Sequence, residues 1–354
     1  MTALYAFGNN PGYYFSQSGI SVSVTGNTND FVGLTHTPFQ VHSACVGAAY
    51  NPVADTWIAV SNKGEIAYSD NLTEPWSTYY LSNKFVNIRR IIANQGRYVL
   101  VGAIKDPVSL SEKAVIFTTA LGGNANQWYQ AYTNTNSHSM ILDITVVPSS
   151  SNLPSTLIAS GYNNGGLLPL LLISTDNGLN WSQVELDPNI IKGTIYSVAV
   201  AGDPLNATQA GSVKLYLGGT SSISVVDFST NHLYLLSDQF FINGKSKPIY
   251  RIVANNSLGL SGITTQSLIA LQSNNIYFSN NLFDWHSVQT PGYTLISAVW
   301  TDLQDAGTWY FGVESMLNQY TGFTMSAPAG LPLPTNPQLV GYNNQIQAQE
   351  FVTA

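Results

Sequence analysis

The chain has 354 residues, 19 acids against 12 bases for a formal net charge of −7, and only 9% charged residues beside 44% hydrophobic and 12% aromatic ones. Disordered chains pair low hydrophobicity with high charge, so this one folds, and its four arginines (Arg89, Arg90, Arg97, Arg251) are too few for a phosphate-tracking surface, which excludes nucleic acid as a partner. A single cysteine, Cys45, excludes an internal disulfide framework and a cysteine-based zinc site, and its apolar surroundings mark it as a small core residue.

Residues 1–10 lack a basic segment followed by an apolar one, and no run reaches the roughly 18 apolar residues of a membrane span. The expectation is a chain with no classical signal peptide and no membrane insertion. With so little charge, its surface must be built from Asn, Ser, Thr, Gln, Gly and Tyr, a composition suited to the outside of a cell. Virion proteins reconcile the two features, because they are made in the cytoplasm, leave with released particles and then work outside.

From the amino end, residues 3–26 contain three short β-prone runs, 4–7, 12–16 and 20–24, which match the second to fourth strands of a four-strand unit. Complete units follow over 41–81, 87–133, 140–186, 194–237, 248–291 and 294–328. The second of these shows the pattern best, with runs at 87–93, 97–103, 114–119 and 128–133 that are rich in β-branched and aromatic residues. No helical periodicity of useful length appears, and 29 Gly and 16 Pro punctuate the chain. After the Pro-rich stretch 331–337, the alternating segment 345–353 supplies the first strand that 3–26 lacks. The expected fold is therefore all-β: one domain spanning 1–354, a seven-bladed β-propeller of four-stranded blades, with the ring closed by the carboxyl-terminal strand.

Trp76, Trp128, Trp181 and Trp285 each close a turn between the third and fourth strands. The clearest copy is Ser174-Thr175-Asp176-Asn177-Gly178 with Trp181; Ser69, Asn71 and Trp76 form a second, and Ser279, Asn281 and Trp285 a third. An interval of 105 residues separates Asn71 from Asp176 and Asp176 from Asn281, and a weaker copy at 118–122 makes the underlying period about 50 residues. Residues 174–181 resemble the Asp-box, the S-x-D-x-G-x-x-W turn of sialidase-like propellers, sortilin-like receptors and phage tail-associated propellers. The resemblance implies a structural role: the carboxylate accepts hydrogen bonds from its own turn while the Trp packs beneath it. In the other copies Asn71 and Asn281 replace the Asp, and Thr73 and Phe283 replace the Gly.

Enzymatic readings find few residues to carry them. Sialidase chemistry needs three arginines on a carboxylate and a Tyr/Glu nucleophile pair; Tyr250-Arg251-Ile252-Val253 resembles the family's arginine motif only superficially, and Arg97 sits at a turn. A glycosidase needs two carboxyl groups about 5 to 10 Å apart, and Asp143, Asp302 and Asp305 are the acids expected nearest the axis. His36, His42, His138, His232 and His286 show no metal-ligand convergence, so no metal or cofactor is expected. Four N-x-S/T sequons begin at Asn71, Asn180, Asn206 and Asn255, as an Asn- and Ser-rich chain produces by chance.

Alignment of the first strands places Arg90, Asp143, Ser197, Arg251 and Ser297 in one column, a candidate channel ring that either ties neighbouring strands together or holds a small anion or sugar. Tyr13, Tyr14, Tyr79, Tyr80, Trp128, Tyr129 and Tyr132 are candidate glycan-stacking aromatics at strand ends. The functional expectation is a non-enzymatic structural or attachment protein of a virus particle or similar extracellular assembly. Its partners would be other assembly proteins, with host-surface glycans as a second class of ligand. The alternatives are a free carbohydrate-binding lectin and a glycoside hydrolase of sialidase-like fold.

Overall fold

The computed structural model describes residues 3–10, 17–24, 31–39, 43–81, 85–120, 127–147, 155–186, 191–202, 213–220, 222–227, 247–254, 267–279, 285–290, 292–301, 308–315, 322–328, 340–342 and 347–354. Their regular structure is β-strand apart from one 3-10 turn at Asn164–Gly166. The first three strands are β1 (Leu4–Asn10), β2 (Gln17–Ser23) and β3 (Val32–Gly33). Strands β4 (Cys45–Asn51), β5 (Thr56–Ser61), β6 (Glu65–Ser69) and β7 (Ser77–Tyr80) form an antiparallel sheet in chain order. The next comprises β8 (Phe85–Asn94), β9 (Arg97–Lys105), β10 (Glu112–Thr119) and β11 (Trp128–Thr133), again in order. It is followed by β12 (Met140–Val147), β13 (Thr156–Asn163), β14 (Leu168–Ser174) and β15 (Ser182–Gln183).

Strands β16 (Ser197–Gly202), β17 (Val213–Gly218) and β18 (Ile223–Asp227) make a three-stranded sheet. Four-stranded order returns with β19 (Arg251–Ala254), β20 (Leu268–Gln272), β21 (Asn275–Ser279) and β22 (His286–Gln289). The last such run is β23 (Tyr293–Thr301), β24 (Thr308–Ser315), β25 (Gly322–Pro328) and β26 (Val340–Tyr342). Finally, β27 (Gln347–Thr353) pairs antiparallel with β1, giving the order β27-β1-β2-β3. Ala3 and Ala354 extend this ladder through reciprocal backbone bonds of 2.7 and 3.1 Å.

Six sheets thus have the four strands of a complete blade, one fewer than expected. The fourth strand expected within 194–237 would lie at 228–237, outside the described residues. Two expected boundaries also shift. The amino-terminal sheet takes its third strand from β2 and its fourth from Val32–Gly33, beyond residue 26, and the unit expected to stop at 328 gains Val340–Tyr342. Both added strands are two or three residues long, too short to carry a readable period of two.

The chain divides into two compact units, Met1–Leu81 with Ser257–Ala354, and Ser82–Asn256. In the second unit, successive sheets bury apolar faces against each other. Val99, Val101 and Ile116 pack with Ile141, Ile144, Leu157, Leu170 and Leu172, while Ile158 and Leu171 pack with Val198, Val200, Leu215 and Leu217. In the first unit Phe7, Ile20, Cys45, Trp57 and Ala67 share one core, and Leu4, Ala6, Tyr310 and Phe351 another.

One backbone device recurs where a blade's first strand pairs with its second. The ladder skips a single residue at Val46, Arg89, Leu142, Ile296 and Gln349 in β4, β8, β12, β23 and β27. Such β-bulges re-aim the residue that follows, here Gly47 and the side chains of Arg90, Asp143, Ser297 and Glu350. Opposite two of these bulges the second strand needs glycine: a Cβ on Gly102 would sit 2.1 Å from the Asn87 carbonyl oxygen, and one on Gly161 would sit 2.0 Å from that of Met140.

Candidate functional site

Three charged side chains of the expected column meet in the second unit. Asp143 is 4% exposed, and its Oδ1 lies 3.1 Å from Arg90 Nη1 and 3.7 Å from Arg251 Nη1. The Ser197 hydroxyl donates to Asp143 Oδ2 at 2.7 Å, the Val198 N–H donates to the same oxygen at 3.0 Å, and the Ile144 N–H donates to Oδ1 at 2.9 Å. Ser197 Oγ in turn accepts the Ile252 N–H at 2.8 Å. Four first strands, β8, β12, β16 and β19, are therefore linked through one carboxylate and one hydroxyl. A carboxylate offers about four lone-pair directions, and four donors lie within hydrogen-bond reach of this one, with the Arg251 guanidinium beyond them at ion-pair distance.

A cavity of about 150 Å³ adjoins the cluster, lined by Arg90, Asp143, Arg251 and the backbone-rich segments 144–145, 198–200 and 252–254. Ser160, directly across the ladder from Asp143, is fully buried, and its hydroxyl has no protein partner among the described residues. Ser297 occupies the column position of the other unit and is also buried.

Sequence reasoning missed Glu350. It follows the bulge in β27, so it is the column residue of the amino-terminal blade, and it is buried at 8% exposure. Its context, between Gln349 and Phe351, differs from the Leu142 and Ile144 setting that marked Asp143, so the one readable signal was an acid in the closing strand. Burial pushes the nearby Cys45 thiol up to about 12, with the Glu350 charge adding to the shift and a hydrogen bond to the Gly47 carbonyl opposing it. Cys45 is a core residue, fully buried.

The turn at 174–181 is tightly closed. Asp176 Oδ1 accepts the Ser174 hydroxyl at 2.8 Å and the N–H groups of Leu179 and Asn180 at 3.1 and 2.9 Å, and Oδ2 accepts the Asn180 amide at 2.7 Å. Burial alone would raise the Asp176 pKa, but these bonds outweigh it and hold the carboxyl below its ordinary value. Gly178 has φ of +85°, and its carbonyl accepts the Trp181 indole N–H at 3.1 Å. The neighbouring Asn177 is bonded to Asn94, at 2.7 Å from the Asn94 amide, so the turn is docked on the preceding sheet.

The second copy is looser. Asn71 Oδ1 accepts the Thr73 N–H at 3.0 Å and its hydroxyl at 2.8 Å, Ser69 Oγ accepts the Asn71 N–H at 3.2 Å, and the Trp76 indole N–H has no partner among the described residues. In the third copy, Ser279 ends β21 and Trp285 precedes β22, while Asn281 lies outside the described residues.

The other sequence candidates scatter. Arg97 Nη1 donates to the Thr119 carbonyl at 2.7 Å and to the Tyr129 hydroxyl at 2.8 Å, which ties together the strand ends of one sheet. Tyr132 packs on the apolar core, Trp128 lies 6.5 Å from the Tyr98 ring, and Tyr79 lies 6.0 Å from the Tyr68 ring. Tyr80 is exposed. Tyr13, Tyr14, Asp302, Asp305, His42, His232, Asn206 and Asn255 lie outside the described residues. Among the described residues no group of His, Cys, Asp and Glu could hold a metal ion, and no helix is long and apolar enough to cross a membrane.

No protein-family model matches the sequence, and comparison with curated proteins finds no relative. Among solved structures the chain is similar to Sqt1 of Saccharomyces cerevisiae, a WD40 propeller, with a TM-score of 0.62 at 10% identity, covering 99% of this chain and 88% of that one. That likeness establishes the fold as a β-propeller of four-stranded blades.

Proposed function

We propose that this protein is a non-enzymatic binding and assembly module: an Asp-box propeller of seven blades, its ring closed through β27, carried on a virus particle or comparable extracellular assembly. The observation that carries the non-enzymatic part is the saturation of Asp143. An acid or nucleophile must keep a lone pair or proton available for substrate, whereas this carboxylate meets two guanidinium groups, two backbone N–H groups and a serine hydroxyl. The resemblance of residues 174–181 to the Asp-box supports the family reading, and reading the three-stranded sheet beginning at Ser197 as a blade brings the count from six four-stranded sheets to seven. A charge-poor surface on a chain of this size suits burial in an assembly.

The test is mass spectrometry and electron microscopy of the native source. Co-purification with intact particles at fixed stoichiometry is the expected result. Recovery only as free soluble protein would overturn the assembly reading and move the lectin alternative ahead, with a glycan array as its own test.

A further inference from the structure

The cavity beside Asp143 is walled by the edge strands of three sheets. Each of β12, β16 and β19 stands at the end of its sheet's strand order, so it has a neighbour on one side only and turns alternate backbone N–H groups away from that neighbour. The N–H groups of Ile144, Val198 and Ile252 mark the outward set, because they donate to Asp143 Oδ1, Asp143 Oδ2 and Ser197 Oγ. The same alternation, two residues on, turns the N–H groups of Val200 and Ala254 outward, and both residues line the cavity. Between Ser197 and Gly202 the ladder runs without a bulge, so the period holds at Val200.

Charge at this wall is unbalanced. Among the described lining residues the ionisable groups are Arg90, Arg251 and Asp143, two cations against one anion. Both Nη1 atoms lie within 3.7 Å of the same carboxylate oxygen, a crowding of like charge that a second anion would relieve. Each guanidinium carries five N–H donors, more than a shared carboxylate oxygen can accept. Aliphatic residues such as Ile144, Val198 and Val253 make up much of the remaining wall, which strengthens any attraction between an entering anion and the arginines. The arginine side chains are 17% and 14% exposed, so an ion from solvent can reach them.

We infer that the cavity binds a small tetrahedral oxyanion of the phosphate or sulfate class, held by the Arg90 and Arg251 guanidinium groups and by the N–H groups of Val200 and Ala254. Guanidinium groups and outward-facing backbone N–H groups are the donors that suit such ions. A volume of about 150 Å³ admits one free ion with a little water and leaves no room for a sugar carrying it. Asp143 keeps its place in the fold, because it fixes the two arginines that the ion meets. The site does not depend on the assembly reading.

Titration of inorganic phosphate into the purified full chain at constant ionic strength tests it, with the Nε–Hε signals of isotope-labelled arginine followed by NMR. The chain has four arginines, so each can be followed. The expected result is saturable one-to-one binding that shifts Arg90 and Arg251, with sulfate competing and chloride not. Arg97, committed to the Thr119 carbonyl and the Tyr129 hydroxyl, serves as the internal reference. Arg251→Gln, its folding checked by circular dichroism, should weaken the apparent Kd by about tenfold or more. Shifts confined to the exposed Arg89 would overturn the inference, as would a response that never saturates or an affinity unchanged in Arg251→Gln. If that variant does not fold, the wild-type shifts decide alone. Glycerol phosphate binding as tightly as phosphate would overturn the assignment to a free ion.

Discussion

The bulged first-strand position is occupied very differently in the two units. In Ser82–Asn256 it holds Arg90 and Asp143, joined by Ser197 and Arg251 from the neighbouring first strands; in the other unit it holds Gly47, Ser297 and Glu350. The backbone solution is shared, while the side chains differ: in Ser82–Asn256 the Asp143 carboxylate joins four first strands, whereas the buried acid of the other unit, Glu350, sits on the closing strand. The bulge is therefore architecture, while the residue that follows it is a separate choice, from Gly47 to Asp143. Buried charge of this sort stabilises only as a complete set, since each member alone would face the cost of desolvation.

That contrast predicts a ranking. Asp143→Ala should lower unfolding free energy by about 3 to 5 kcal/mol, because it leaves two guanidinium groups and two N–H donors without their acceptor; equilibrium denaturation measures it. Gly161→Ala should cost about 3 kcal/mol, since the new Cβ would fall 2.0 Å from the Met140 carbonyl oxygen and the bulge would have to move. Ser297→Ala, at the equivalent column position of the acid-rich unit, should cost only about 1 kcal/mol. A loss as large as that of Asp143→Ala would erase the distinction between the units.

The two Ser/Trp turns sharpen the same comparison on a smaller scale. Asp176→Asn should remove part of the acid sensitivity. The Asp176 pKa is depressed in the folded state, so its stabilising contribution is present above the unfolded value of about 3.9 and is lost as pH falls through the lower folded value. The variant's stability curve should accordingly be flatter than wild type below that pH. Trp181→Phe should cost about 1 kcal/mol through the lost bond to Gly178, whereas Trp76→Phe should lose no hydrogen bond and change stability least. Paired thermal melts check both.

Much of the fold was legible because its signals are local. β-branched runs marked most strands, the Ser-Asp-Gly-Trp turn marked the joint between third and fourth strands, and an orphan strand pattern at 345–353 pointed to the partner of β1. Arg90, Asp143, Ser197 and Arg251 were readable as polar residues breaking apolar runs. The bulges were not, because a skipped residue changes pairing without changing composition, and Glu350 escaped notice for that reason. The glycines opposite, Gly102 and Gly161, carried a usable hint in the Val-Gly-Ala and Ser-Gly-Tyr contexts of second strands. The short strands Val32–Gly33 and Val340–Tyr342 are defined only by the neighbour they pair with.

The central claim is that the charged cluster is a scaffold element whose carboxylate is fully committed to the fold. The most direct measurement compares the unfolding free energies of Asp143→Leu alone and the triple variant Arg90→Met/Asp143→Leu/Arg251→Met. We expect a loss of about 3 to 5 kcal/mol for the single change and recovery of most of it in the triple, as apolar packing replaces a network that no longer holds an unmatched charge. A single variant as stable as wild type, or a triple no better than the single, would contradict it.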